Sequence, residues 1–144
     1  MEVYTQHITI NELTFTFVVM GAFMQPQGQV QVILNMKHYL SNPQHALDLP
    51  RLCVAPPKGT AGVSANAYSF TEVTDTVVYL EDGIEDDVVE ELETMGHICY
   101  RLSGYSRSLF GRGQIIRCKI DARTGHRVLA AGSDPRGDGH ASGW

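Results

Sequence analysis

A glycine-bearing turn ahead of an apolar run contains the residues of this chain that are best suited to chemistry. Gly21 to Gly28, GAFMQPQG, follows a strand-like segment and precedes a helix-like one. A glycine-bearing turn at a helix N-terminus presents backbone N–H groups that lack intrahelical acceptors, and such groups attract anions. Pro26 has no N–H, so which amides would donate stays open at this stage.

Other polar residues form weaker patterns. Asp121, Asp134 and Asp138 could ligate a cation through their carboxylates, but caps of glycine-rich turns are the favoured interpretation. Ser108 and Ser133 have no base nearby in the sequence. The six histidines are scattered without metal-ligand spacing. The sequence therefore predicts no metal site and no cofactor.

Two separated blocks of the sequence carry distinctive motifs, GAFMQPQGQVQ with ALDLPR in the first and FGRGQII with GSDPRGDG in the second. Together these motifs resemble those of the gamma-glutamyltranspeptidase family. The first, residues 18–51, contains GAFMQPQGQVQ, NPQ and ALDLPR, similar to the GGFMQPQGHVQ, NPQ and ALD.PR pattern of the bacterial and fungal branch. The second starts at Phe110 as FGRGQII, continues from Gly132 as GSDPRGDG, and ends in Gly143 and an aromatic residue. GRGQ itself is too short for a phosphate loop, because the terminal Lys-Ser/Thr is missing. The resemblance covers nearly all of the chain after residue 12.

The resemblance implies an α/β (α+β) fold. Residues 1–144 would form a single partial domain, the C-terminal part of an Ntn-hydrolase αββα sandwich with helices packed on an antiparallel sheet. Enzymes of this family act on gamma-glutamyl amides through a threonine hydroxyl whose own amine serves as base. They stabilise the tetrahedral intermediate with backbone N–H groups.

The same resemblance places the oxyanion and substrate-binding loop at Gly21, Met24, Gln25, Gln27 and Gly28. The related branch usually has a histidine at the position of Gln29, which weakens any polar role there. Thr5 to Thr9, TQHIT, faintly echoes the family's Thr-Thr-His-x-Ser nucleophile segment. It lies too close to Gly21, and chance similarity is favoured.

We therefore expect this chain alone to lack the threonine nucleophile and to be inactive. The substrate-gripping arginine belongs to the family's large subunit, so a gamma-glutamyl substrate would bind only after a partner chain supplied the missing half. The alternative hypothesis is a non-catalytic remnant that acts as a binding or interaction module. Loss of the neighbouring half would also promote self-association through exposed apolar surface.

Local patterns predict the elements that hold the turn. Leu13–Val19 alternates like a strand, and losing its neighbour would leave it an open edge. Gln29–Leu40 has helical spacing, with Val30, Ile33 and Leu34 assigned to the core. Asn42 caps a second helix that Pro50 ends.

Farther along, 55–67 is predicted to be a loop and 76–80 a strand. Ile84 to Met95 forms a helical face that Gly96 ends. Residues 97–102 predict a short strand, and 114–131 a hairpin around Ala122–Gly125.

The bulk composition sets outer bounds. A chain of 144 residues can bury a core. Its start has no signal-peptide pattern, so a cytoplasmic setting without membrane attachment is expected. Residues 81–93 are acidic and 101–127 basic, but the low pI of about 5.6 argues against a nucleic-acid partner. Three cysteines without CxxC spacing are typical of reduced thiols.

Overall fold

The computed structural model of the protein describes residues 6–10, 13–38, 42–55 and 76–143. The contacts divide it into two compact units, residues 1–49 with 107–144, and residues 50–106. In chain order the elements are β1 Gln6–Ile10, β2 Leu13–Met20, α1 Met24–His38, α2 Pro43–Asp48, β3 Leu52–Ala55, β4 Val77–Glu81, α3 Asp86–Thr94, β5 Cys99–Leu102, a 3-10 helix Gly104–Phe110, β6 Arg112–Ile120 and β7 Arg127–Ser133. Whether the chain is a single domain stays a prediction.

The first unit is built on a four-stranded antiparallel sheet in the order β1-β2-β6-β7. Alternate residues of β2 point to one face, so Phe15, Phe17 and Val19 are buried together. α1 and α2 cover that face, and the core cluster consists of Phe15, Phe17, Val19, Val32, Met36, Ala46, Leu47 and Ile115. The predicted antiparallel sheet with helices packed on it is confirmed.

β2 is a strand, as predicted, but it is not an edge. It pairs with β1 on one side and with β6 on the other, with Met20 opposite Arg112 at its end. The expectation of an open edge at Leu13–Val19 was therefore wrong. β1 supplies the neighbour that the sequence pattern did not reveal.

α1 begins five residues earlier than predicted and buries a different face. Its buried residues are Met24, Gly28, Val32 and Met36, spaced four apart as one helical stripe. Val30 and Leu34 were assigned to the core, but they are 56% and 45% exposed. Gly28 sets this rotation, because a Cβ on it would lie 2.8 Å from Val19 Cγ1. The close approach of helix and strand at Gly28 turns Val30 and Leu34 outward.

α2 is capped as predicted. Asn42 Oδ1 accepts a hydrogen bond from the His45 N–H at 2.8 Å, and the helix ends at Asp48, before Pro50. The described part of the predicted second helix is thus confirmed, whereas residues 39–41, next to α1, lie outside the described residues.

The second unit contains the sheet β3-β4-β5. β4 is buried along its whole length, and it runs parallel to β5, to which α3 connects it. α3 has Asp86 and Asp87 in its first turn, and Gly96 follows it with a φ of 95°. The sequence predicted α3 but neither β3 nor the parallel pairing. The predicted loop falls mostly in 56–75, outside the described residues.

The Pro-Arg that closes the first resemblance block belongs to this unit. Arg51 and Glu81 are both fully buried, and the Arg51 N–H donates to Glu81 Oε2 at 2.9 Å. Among the described residues no helix has the length and apolar content that a membrane crossing requires.

Candidate functional site

The turn between β2 and α1 has an unusual backbone. Gly21 has a φ of 142° and Ala22 a φ of 46°. A positive φ in an alanine costs about 1–2 kcal/mol, and such strain persists only where the surroundings fix it. This strain coincides with the first two residues of the predicted anion-binding turn.

Gly111, the first glycine of GRGQ, fixes the turn from the side. The register of β2 and β6 places it across from Gly21, one step beyond the Met20–Arg112 pair. A Cβ on Gly111 would lie 2.4 Å from the Met20 carbonyl oxygen, and one on Gly21 would lie 2.9 Å from the Gly111 Cα. Gly111 also has a φ of 72°. The two blocks of the sequence therefore meet backbone to backbone at one end of the sheet.

The hydrogen bonds of the turn show which amides are engaged. The Met24 N–H donates to the Gly21 carbonyl at 2.9 Å, and the Gln25 N–H to the Ala22 carbonyl at 3.1 Å. A helix leaves only the N–H groups of its first turn without intrahelical acceptors, and Gln27 and Gly28 lie beyond that turn of α1.

Gly21 and Ala22 differ from these residues. Their N–H groups donate to no acceptor in the part of the chain that the structure describes. Met20 pairs with Arg112, and alternate bonding in an antiparallel ladder then directs the Gly21 N–H away from β6. Ala22 is exposed. Within the described residues, the two donors of the turn that stay available are therefore Gly21, which the resemblance indicated, and its neighbour Ala22, which it did not.

The GSDPRGDG block holds the same end of the sheet together. Asp134 Oδ2 accepts from the Gly113 N–H at 2.7 Å, and its Oδ1 accepts from Arg136 Nη1 at 3.0 Å. Arg136 also donates to the carbonyls of Leu47 at 2.8 Å and Leu49 at 2.9 Å, at the end of α2. Both side chains of the ion pair are almost fully buried, so this motif is a clamp between β6 and α2.

Gln44 of the NPQ motif forms a second link to the same block. Its Oε1 accepts from the Ser133 N–H at 3.1 Å, and its Nε2 donates to the Ser133 carbonyl at 2.9 Å. Gly132 permits this contact, because a Cβ there would lie 2.7 Å from the Gln44 nitrogen. Ser133 Oγ accepts from Gln114 Nε2 at 2.8 Å, which places this serine in a structural network.

One cationic side chain reaches this end of the sheet from β6. Arg112 is exposed and stands opposite Met20 in the register. Gly137 leaves room for it, since a Cβ there would lie 2.9 Å from Arg112 Cδ. The turn therefore has two amides without acceptors among the described residues, which favour a negatively charged group, and a cationic residue in the strand pair next to it.

The remaining candidates lie elsewhere. Asp121 caps the β6–β7 turn, since its Oδ1 accepts from the N–H groups of Arg123 and Thr124 at 2.9 Å each. The bonds to Thr124 and then Arg123 lower the pKa of Asp121 below its ordinary 3.8. Asp138 and Ser108 are exposed. Thr5 lies outside the described residues. No cluster of metal-ligating side chains occurs in the described part of the chain.

The three cysteines are free thiols. Cys53 is buried, and Cys99 and Cys118 are partly buried. Burial raises the pKa of the Cys53 thiol, and burial followed by the charge of Glu93 raises that of Cys99. Raised pKa values disfavour the thiolate form that acts as a nucleophile.

Comparison with known proteins shows the family to which this chain belongs. The family model for gamma-glutamyltranspeptidase matches residues 8–144. This chain belongs to the gamma-glutamyltranspeptidase family. A cephalosporin acylase from Bacillus halodurans is 34% identical over 92% of the chain, with a TM-score of 0.64. A comparison with curated proteins gave no match.

Solved structures of lower sequence identity share the fold. The transpeptidase CapD of Bacillus anthracis is 16% identical with a TM-score of 0.68, and the matched part covers 98% of this chain and 70% of that one. A Helicobacter pylori gamma-glutamyltranspeptidase mutant is 18% identical with a TM-score of 0.67, covering 94% of this chain and 61% of that one. These likenesses confirm the α+β architecture expected for a C-terminal part of the Ntn-hydrolase fold. The chain spans about a fifth of the acylase, 22% of its length.

Sequence inspection found the turn but missed what supports it. Gly111, Gln44 and Arg136 belong to motifs that the sequence analysis had recognised. Membership in those motifs was the only sequence signal that could have pointed to them. Their roles depend on which backbone atoms they meet after folding, so no local pattern could have assigned them.

Proposed function

We propose that this chain supplies the oxyanion side of a gamma-glutamyl amide transfer or hydrolysis site. The nucleophilic threonine would come from polypeptide outside its 144 residues. The observation that carries the proposal is the strained turn at Gly21 and Ala22, whose N–H groups have no acceptor among the described residues. Family membership supplies the reaction class.

The chemistry follows from where charge develops. Attack of a threonine hydroxyl on the amide carbonyl places negative charge on its oxygen, and fixed N–H donors stabilise that oxygen. The N–H groups of Gly21 and Ala22 would serve here. Met24, Gln25, Gln27 and Gly28 would shape and anchor the turn, because their amides are engaged or lie inside α1. The guanidinium of Arg112 would add a favourable field.

A strained turn suits this role because it cannot easily reorganise. Removing one oxyanion donor typically costs about 10²–10³ in kcat. The backbone contact with Gly111 prevents the turn from relaxing into an ordinary αR conformation that would redirect the two amides. This arrangement preorganises the donors before substrate arrives.

A second substrate class has its own support. The relative at 34% identity carries the name cephalosporin acylase. The same oxyanion chemistry serves any acyl amide, so a cephalosporin amide is the alternative substrate. The non-catalytic binding module remains the competing proposal if no amide is turned over.

The test is complementation. Purified chain is mixed or co-expressed with the portion of the Bacillus halodurans acylase that lies outside the matched region, and turnover of a gamma-glutamyl anilide and of a cephalosporin is measured. We expect no turnover by either polypeptide alone and turnover by the pair. Loss of that turnover on replacing the complement's nucleophilic threonine with alanine would confirm the division of labour. Absence of turnover in a pair that co-purifies as a folded complex would favour the binding module.

A further inference from the structure

Ala22 is held in a backbone conformation that suits glycine. Its φ is 46°, and among the residues that the structure describes it is the one residue other than glycine with a positive φ. An L residue avoids this left-handed region because its Cβ lies too close to the following carbonyl oxygen. The motif that this chain resembles, GGFMQPQG, has glycine at this position, whereas the chain has GAFMQPQG. The chain therefore keeps a glycine-like conformation and adds a methyl group to it.

Contacts of the turn keep Ala22 in this conformation. A Cβ on Gly21 would lie 2.9 Å from the Gly111 Cα and 3.4 Å from the Met24 Cβ. The Gly21 carbonyl accepts from the Met24 N–H at 2.9 Å. The Ala22 carbonyl accepts from the Gln25 N–H at 3.1 Å. Rotation of Ala22 into the right-handed region would turn these two carbonyls relative to each other and break at least one of the hydrogen bonds.

The methyl group lies beside one of the two candidate donors because of covalent geometry. The nitrogen and the Cβ of Ala22 are bonded to the same Cα, so an oxygen that accepts from the Ala22 N–H lies within about 5 Å of the methyl carbon. Ala22 is exposed, and its N–H donates to no acceptor among the described residues. When a carbonyl oxygen binds there, a substituent on the carbon next to that carbonyl competes with the methyl for space.

We propose that Ala22 is a specificity-determining residue that favours acyl groups with an unbranched CH2 next to the scissile carbonyl. This inference rests on the proposed function, which places the carbonyl oxygen on the N–H groups of Gly21 and Ala22. A gamma-glutamyl group has such a CH2, whereas an ordinary α-aminoacyl group has a branched carbon there. The Ala22 methyl excludes the branch, and the substrate class is amides of linear acyl chains.

Binding of simple carboxylates to the full chain tests the steric effect without catalysis. Butyrate and isobutyrate are isomers, and they differ in whether the carbon next to the carboxylate is branched. We expect butyrate to shift the amide NMR signals of Gly21 and Ala22 with a dissociation constant about tenfold lower than that of isobutyrate, since one methyl group discriminates by about tenfold or more. In Ala22→Gly this preference should disappear.

The chain offers a matched control for this substitution. Ala122→Gly removes an exposed methyl group from the β6–β7 turn, at the opposite end of the sheet. It should keep the wild-type preference for butyrate. Ala22→Gly should remain folded, because glycine adopts a positive φ without the strain of alanine.

The complemented enzyme tests the same residue during turnover. Two gamma-glutamyl anilides are compared, one of which has an added methyl group on the carbon next to the scissile carbonyl. The wild-type pair should prefer the unmethylated anilide in kcat/KM by about tenfold or more. Ala22→Gly should lose most of this preference, and Ala122→Gly should retain it.

Two results would overturn the assignment of Ala22. One is equal behaviour of butyrate and isobutyrate with the wild-type chain, including the case in which neither shifts the Gly21 and Ala22 signals. The other is turnover in which a folded Ala22→Gly keeps the wild-type preference between the anilides. A preference for butyrate that Ala22→Gly removes, in a pair without turnover, would support the assignment and contradict only the proposed function.

Discussion

Single residues decide the geometry of the candidate site, and Gly111 is the clearest case. Its φ of 72° and the 2.4 Å that would separate its Cβ from the Met20 oxygen leave no space for a side chain. Gly125 has nearly the same φ, 70°, but nothing within 4 Å of its Cβ position. The two glycines differ only in their surroundings.

This pair gives a controlled prediction. Gly125→Ala should lower the free energy of unfolding by about 1–2 kcal/mol, the cost of a left-handed alanine. Gly111→Ala adds backbone overlap to that strain and should cost more, with chemical shifts in the Gly21–Ala22 turn also moving. Urea unfolding and amide NMR measure both. Equal losses in the two variants would show that the turn does not press on Gly111.

Asp121 gives a prediction about pH. Its pKa is lowered in the folded state by the N–H groups of Thr124 and Arg123, so its stabilising effect is present above the unfolded pKa and is lost as pH falls through the folded one. The protection of the Arg123 and Thr124 amides from solvent exchange, relative to the intrinsic exchange rate at each pH, should therefore fall as the pH drops below about 4. Asp121→Asn retains the accepting oxygen and should show no such pH step. An identical step in that variant would assign the change to another group.

Some roles of single residues could be predicted from the sequence, and others could not. The Asn42 cap, the Gly96 stop and the Asp121 turn were readable because their signals act within a few residues. The unengaged N–H groups of Gly21 and Ala22 were not, since they depend on φ values of a turn that packs against Gly111 from a distant part of the chain. The resemblance indicated this loop as an oxyanion site, which stays a prediction, and left open which of its amides would act.

Among the secondary-structure elements, β6 separates the two faces of the sheet. Ile115 points to the helix-covered face and is 1% exposed, whereas Ile116 points to the opposite face and is 46% exposed. Ile115→Ala should lower the free energy of unfolding by about 2–5 kcal/mol, the range for a buried isoleucine. Ile116→Ala should cost clearly less. Comparable losses in chemical denaturation would mean that both faces are covered in solution.

Elements were predicted better than their packing. Strand β2, the helices and the hairpin follow from periodicity and turn residues, which the sequence displays directly. The rotation of α1 does not, because Gly28 lets it approach Val19 and turns Val30 outward. The parallel pairing of β4 with β5 depends on a crossover through α3, and β5 alone has no pattern that specifies direction.

The chain as a whole belongs to the family but corresponds to only part of the length of its relatives. It matches the gamma-glutamyltranspeptidase family over residues 8–144 but spans 22% of the acylase and 61% of the Helicobacter pylori chain. The two sequence blocks that resemble the family hold one end of a sheet together around a strained turn. That assignment predicts a polypeptide with a prepared oxyanion site and no nucleophile of its own.

Turnover of a gamma-glutamyl anilide by the chain, alone and with its complement, tests this claim most directly. Without a nucleophile, the residual effect of an oxyanion site lies orders of magnitude below that of an intact enzyme. We predict no measurable release of the anilide by the chain alone, an intact mass that shows no self-cleavage, and release when the complement is added. Release by the chain alone that Thr5→Ala abolishes, with a fragment beginning at Thr5, would contradict the account.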